Sequence, residues 1–154
     1  MSLLIEGARR NGSQAPLVLI IEDNEDNRVV AATMLRHVGY RVAEAVTGTE
    51  GLAAVQALLP SVVLMDVGLP DVDGWTVTRV LKTNPETRHI PVIAYTAHVQ
   101  PEDWQMAYRV GCDGYLTKPM EPVRLVQEVA RVLAAPARFA IEREAAPTSP
   151  TSPT

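Results

Sequence analysis

Four apolar runs in this chain each end on residues able to do metal or phosphate chemistry. Residues 17–21 lead into Glu22 and Asp23, residues 62–65 into Asp66, residues 91–95 into Thr96, and the short run 115–117 into Lys118 and Pro119. Short apolar runs bounded by turn signals read as buried parallel strands, and in an open α/β sheet ligands bind outside the carboxyl ends of the strands. Three carboxylates, a hydroxyl and an amine would then converge on one edge. Asp66 stands alone at the end of a central run and is the candidate nucleophile, because attack on phosphorus needs an ionised carboxylate in line with the leaving group. Glu22 and Asp23 are candidates for holding a hard divalent cation, which prefers a few carboxylates, a carbonyl and retained waters. One lysine and one divalent cation balance the three carboxylates, so charge on the transferring oxygens can be stabilised. Thr96 can donate its hydroxyl hydrogen to a phosphate oxygen. Taken singly, each residue has an ordinary explanation as a helix cap, a solvated turn residue or a strand residue. Their order along the chain and their shared edge carry the argument.

The elements that must position these groups follow from the pattern. Strand and helix signals alternate from about residue 17 to residue 135, the mark of βαβ units. The first helix is expected to start near Asp26, to carry Val29, Val30, Ala32, Met34, Leu35 and Val38, and to stop at Gly39. Residues 40–46 form the second strand. Residues 48–59 form the second helix, with Leu52, Val55 and Leu58 or Leu59 facing inward and Pro60 ending it. Residues 61–65 are the third strand. A Gly, Pro and Asp-rich loop, 66–74, precedes a helix with Trp75, Val77, Val80 and Leu81. The fourth strand spans 91–95. Pro101 opens a helix that ends at Gly111. Residues 113–116 are a short fifth strand, and residues 121–133 the last helix, with Val123, Val126, Val129 and Val132 or Leu133 as its apolar face.

The bulk properties bound the function. At 154 residues the chain fits one domain. A net charge of -4 argues against nucleic-acid binding through charge. No apolar stretch approaches the roughly 18 residues of a membrane span, and no secretory leader pattern opens the chain, so a cytoplasmic location is expected. The lone Cys112 excludes an intrachain disulfide and a cysteine metal cluster, and it reads as a small buried side chain. Residues 1–15 read as a flexible lead, 16–135 as the domain, and 136–154 as an extension and tail. The extension holds Phe139 and Ile141, and the tail is rich in Pro, Ser and Thr.

The combination of Glu22-Asp23, Asp66 with Leu69-Pro70 and Asp73-Gly74, Thr96-Ala97 and Lys118-Pro119 resembles the receiver domain of two-component response regulators, in stand-alone or hybrid-kinase form. The resemblance covers about residues 16–135. It implies an α/β, flavodoxin-like (βα)5 fold, a doubly wound parallel five-stranded sheet of order 2-1-3-4-5. It also implies roles. Asp66 accepts a phosphoryl group from a histidine kinase or a histidine phosphotransfer protein. Asp23, Asp66, the Gly68 backbone carbonyl and Glu22, the last partly through water, bind Mg²⁺, for which Mn²⁺ can substitute. Lys118 contacts the phosphoryl group, and the Lys118–Pro119 peptide is cis. Thr96 is the switch hydroxyl and Tyr115 the coupled aromatic, and the fourth helix, fifth strand and fifth helix are remodelled when they move.

Two positions depart from the commonest pattern of that family, Gly68 and His98. Both flank the water path to the acyl phosphate, and both are expected to set the lifetime of the phosphorylated state. Trp104, Tyr108 and Tyr115 are expected to line the partner face, since aromatic side chains suit interaction surfaces. The partners expected are the phosphohistidine donor and a downstream protein, with no nucleic acid and no membrane. The chain is expected to be a monomer or a weak phosphorylation-dependent dimer. Only 19 residues follow Ala135, too few for an independent core. Two other readings stay open. One is a Mg²⁺-dependent aspartyl phosphatase, which would want an acid where Gly68 stands. The other is a scaffold that is never phosphorylated.

Overall fold

A computed structural model describes residues 15–97 and 100–134. Five strands alternate with five helices: β1 (Leu17–Ile21), α1 (Glu25–His37), β2 (Arg41–Ala45), α2 (Gly48–Leu58), β3 (Val62–Asp66), α3 (Gly74–Thr83), β4 (Val92–Thr96), α4 (Pro101–Val110), β5 (Gly114–Thr117) and α5 (Pro122–Ala134). The strands form one parallel sheet of order β2-β1-β3-β4-β5. This is the doubly wound, flavodoxin-like order that the receiver resemblance implies.

The sheet divides the core into two layers, and the period-2 alternation of side chains assigns residues to each. Val18 and Ile20 of β1, Val62 and Leu64 of β3, and Ile93 and Tyr95 of β4 face α1 and α5, where Leu35, Leu125, Val129 and Val132 complete the layer. Leu19 and Ile21, Val63 and Met65, and Val92 and Ala94 face the other way, toward Val55 of α2, Val77 and Leu81 of α3, and Ala107 and Val110 of α4. Each fully buried Val, Leu, Ile or Met among them contributes about 1.5–3 kcal/mol. Strands β3 and β4 are buried along their whole length, which is why they read as unbroken apolar runs rather than alternating ones. Cys112 is buried in the second layer, as expected.

The edge strands differ. On β2, Arg41 and Glu44 are exposed, and Glu44 accepts from Arg28 Nε at 3.1 Å and from Arg36 Nη2 at 3.3 Å. The other edge, β5, is only four residues long.

Helix boundaries follow local chemistry. Asn24, Thr47 and Asp73 cap α1, α2 and α3 by accepting from Asn27 N, Glu50 N and Thr76 N. Pro101 occupies the first turn of α4, and Gly111 ends that helix at φ 98°, a left-handed conformation that favours glycine. Several expected inward faces are corrected. Leu58 and Leu59 are 47% and 57% exposed. Val55 is buried as expected, but its buried companions in α2 are Gly48 and Gly51, because small residues let this helix lie close on Ile21 of β1 and on Val72. Val123 is 66% exposed, and Leu125 takes its place beside Val126 and Val129. Val29, Val30 and Val80 also face outward. The buried residues of α1 are Ala31, Ala32 and Leu35, with Val38 buried at its C-terminal cap.

Candidate functional site

Parallel register delivers the four polar marks to one edge. Ile21 pairs with Met65 and with Ala45, Asp66 with Tyr95, and Thr96 with Thr117. The residues that follow these positions therefore emerge side by side at the carboxyl ends of β1, β3, β4 and β5.

Asp66 and Glu22 are both 2% exposed. Each of Glu22, Asp23 and Asp66 presents a carboxylate oxygen within 4.8 Å of the others. Lys118 Nζ lies 3.2 Å from Asp66 Oδ1 and 3.8 Å from Glu22 Oε1. The Gly68 amide donates to the same Asp66 oxygen at 3.0 Å, so Asp66 Oδ1 is held by two donors at the mouth of the pocket. Glu22 Oε2 accepts from Asn24 N at 2.9 Å, whereas Glu22 Oε1 is buried without a hydrogen bond. Burial, partly offset by the Asn24 amide and compounded by the Asp66 carboxylate, raises the Glu22 pKa from 4.5 to about 7. An all-oxygen donor set, excess negative charge and an orphaned carboxylate oxygen together fit a hard divalent cation.

Thr96 is 2% exposed at the end of β4, and its carbonyl accepts from Lys118 N at 2.8 Å. The backbone of the lysine is thus tied to the threonine across the strand pair. The Lys118–Pro119 peptide is cis. Gly68 is exposed, and a Cβ placed there would meet only Asp66 Oδ1, at 3.8 Å. Tyr115 lies on β5 opposite Ala94, half-buried against the second core layer. On α4 the rings of Trp104 and Tyr108 stack at 5.4 Å and 15°. Trp104 is 43% exposed, on the surface rather than in the helix–sheet interface. His98 lies outside the described residues, as do Phe139 and Ile141.

Two contributors escaped the sequence reading. Tyr95 is almost wholly buried, and its ring lies 4.9 Å below Lys118 Nζ, a cation–π contact that helps fix the ammonium. Burial, with the Glu22 and Asp66 charges beside it, pushes its phenol to about 12. Arg28 Nη1 donates to the Glu22 carbonyl at 3.0 Å, bracing the end of β1. The neighbourhood of Thr96 hinted at Tyr95, but a ring under the lysine is a tertiary fact. Nothing local marked Arg28. Among the described residues no helix is long and apolar enough to cross a membrane.

Comparison with known proteins agrees with this geometry. The profile of the response regulator receiver domain matches residues 18–130. The polar-differentiation response regulator DivK of Brucella ovis is 36% identical over 116 residues, spanning 75% of this chain and 94% of that protein. Among solved structures, a chemotaxis response regulator of Vibrio cholerae superposes with a TM-score of 0.73 at 29% identity, covering 76% of this chain and 98% of that one. The receiver domain of a sensor histidine kinase from Pseudomonas aeruginosa superposes at 0.67 and 31% identity, covering 77% and 93%. Its structure holds a magnesium ion coordinated in the active-site cleft. With four strand ends converging on a buried acid pair and a lysine, and with that match over most of its length, the chain belongs to the response regulator receiver domain family.

Proposed function

We propose that this protein is a phosphorylation-dependent switch in a two-component phosphorelay, with Asp66 as the phosphoacceptor. The observation that carries the reading is the position of Asp66. It is buried at the end of β3, held by Lys118 Nζ and the Gly68 amide, and faced by two further carboxylates. A carboxylate oxygen of Asp66 attacks the phosphorus of a phosphohistidine on a histidine kinase or phosphotransfer protein. The O–P bond forms as the P–N bond breaks, and the imidazole leaves with its electron pair and takes up a proton. The reading assigns Glu22, Asp23, Asp66 and the Gly68 carbonyl to Mg²⁺, or to Mn²⁺ in its place. When bound, the cation supplies positive charge to the transferring oxygens. Lys118 holds a phosphoryl oxygen, and the Thr96 hydroxyl donates to another. The Lys118 N to Thr96 O bond offers a route from the pocket to β5 and Tyr115. Trp104, Tyr108 and Tyr115 then form the face that a downstream protein reads. Gly68 and His98 govern access of water, and so the lifetime of the phosphorylated state.

In this reading residues 16–135 act as the receiver, between a lead of 15 residues and the 136–154 extension. The protein works in the cytoplasm through protein contacts rather than nucleic acid or membrane, as a monomer or a weak phosphorylation-dependent dimer. It catalyses only its own phosphoryl uptake and hydrolysis.

The test is intact-mass analysis after incubation with Mg²⁺ and acetyl phosphate, beside Asp66→Ala. A gain of one phosphoryl group that needs Mg²⁺ and is absent in the variant is expected. If the parent gains nothing from acetyl phosphate or from a phosphorylated histidine donor, the switch reading fails.

A further inference from the structure

We infer that Asp71 is a positioning residue for the acceptor pocket, tying the loop that carries Gly68 to the first turn of α2. The inference rests on the function proposed above for what the pocket does, but the tie itself is a matter of geometry.

The loop between β3 and α3 has to present the Gly68 peptide to Asp66, and Gly68 has no side chain with which to anchor itself. At its inner end the loop is fixed by Val67 N donating to Tyr95 O at 3.0 Å, by Gly74 N donating to Val67 O at 2.9 Å, and by burial of Val67 and Leu69. Its outer end, three residues beyond Gly68, is fixed by Asp71. The Asp71 carboxylate accepts from Gly48 N at 2.8 Å, from Thr49 N at 3.0 Å and from Thr49 Oγ1 at 2.7 Å. Gly48 and Thr49 open α2, where backbone amides have no partner within the helix and where the helix dipole favours an anion. These bonds, the Thr49 hydroxyl first, hold the Asp71 carboxyl well below the usual carboxylate range.

Thr47 already caps α2 through Glu50 N at 3.0 Å. The two acceptors thus divide the helix terminus: Thr47 serves the third amide, and Asp71 serves the first two from another segment. The approach is close, since a Cβ on Gly48 would sit 3.0 Å from Val72 O. Helix α2 is in turn seated on β1 through Gly51 and Val55. Asp71 therefore couples the outer part of the loop, beyond the buried Val67 and Leu69, to an element bedded in the core. If the tie is lost, the Gly68 amide loses its aim at Asp66 Oδ1. In the proposed function its carbonyl loses its place among the cation ligands as well.

The experiment compares amide exchange over residues 66–74 in parent, Asp71→Ala, Asp71→Asn and Thr47→Ala, all without cation or phosphate, and then titrates each with Mn²⁺. Asp71→Ala is expected to speed exchange at Gly68 and Leu69 about tenfold and to weaken Mn²⁺ binding by a similar factor, the scale of losing exposed charge-assisted hydrogen bonds. Asp71→Asn keeps an acceptor oxygen and falls between. Thr47→Ala weakens α2 alone and leaves exchange at residues 66–70 near the parent rate. Parent-like exchange in Asp71→Ala overturns the inference, and so does an equal rise in Thr47→Ala. If loop exchange responds as expected but the parent neither binds Mn²⁺ nor takes up phosphate, the tie stands and the proposed function falls.

Discussion

Replacing Glu22 by Gln should stabilise the cation-free protein at alkaline pH and leave it little changed at acid pH. Glu22 is almost wholly buried, one of its oxygens lacks a hydrogen bond, and the Asp66 carboxylate lies beside it. Burial first, and then Asp66, lift its pKa from 4.5 to about 7. A carboxyl whose folded pKa lies above its unfolded value favours the folded state while protonated. That stability is complete below the unfolded value of 4.5 and is lost as pH rises through the folded value of about 7. At about 1.4 kcal/mol for each pH unit, the loss between these limits is about 3 kcal/mol. Gln keeps the shape and carries no charge to desolvate, and Lys118 retains Asp66 at 3.2 Å. Urea unfolding in the presence of a chelator, at pH 5 and at pH 8, is the assay. The quantity of interest is the difference between variant and parent, which cancels other titrating groups. It should be about 1 kcal/mol or less at pH 5 and about 3 kcal/mol in favour of Gln at pH 8. Adding Mg²⁺ at pH 8 should reverse the order, because the ion stabilises the parent by mass action and the variant less. A variant no more stable than the parent at pH 8 would refute the argument that Glu22 is held at a cost.

Two further outcomes follow from the loop after β3. Gly74→Ala should lower stability by about 2 kcal/mol or more, read as a fall in melting temperature, because its Cβ would lie 2.6 Å from Asp66 O and 2.7 Å from Val67 Cα, backbone atoms that cannot turn aside. Gly68→Asn finds open space and only Asp66 Oδ1 nearby, at 3.8 Å, so it should fold like the parent while changing the decay rate of the phosphorylated protein. His98→Ala is predicted to change that rate too. The decay of incorporated phosphate measures both, and parent-like decay in both variants would remove these positions from control of lifetime.

What the sequence disclosed was whatever is encoded locally. Asp66 could be placed because β3 is buried on both faces and ends abruptly on a charge. Glu22-Asp23, Thr96 and Lys118 were placed by the same logic at the ends of β1, β4 and β5. Helix faces were less legible. Leu58, Leu59 and Val123 looked like core by hydrophobicity, but α2 seats itself through Gly48 and Gly51, whose contribution is the absence of a side chain. In α5 the phase is set by Leu125 and Val129 against the sheet, which exposes Val123. Asp71 stood in a loop read simply as rich in Gly, Pro and Asp. Its partners lie more than 20 residues earlier, a separation that periodicity does not report. The ring of Tyr95 under Lys118 was hidden for the same reason.

The two rims of the sheet bear on how this protein meets others of its kind. Unpaired strand edges invite continuation by a neighbouring chain, the route to fibrils and swapped domains. Here one rim is guarded by Arg41 and by Glu44 with its two arginines, and the other by a strand of only four residues. Charge and brevity discourage a sixth strand from docking. Any pairing between copies would then have to use helical surfaces, which can be joined and parted without unravelling a ladder.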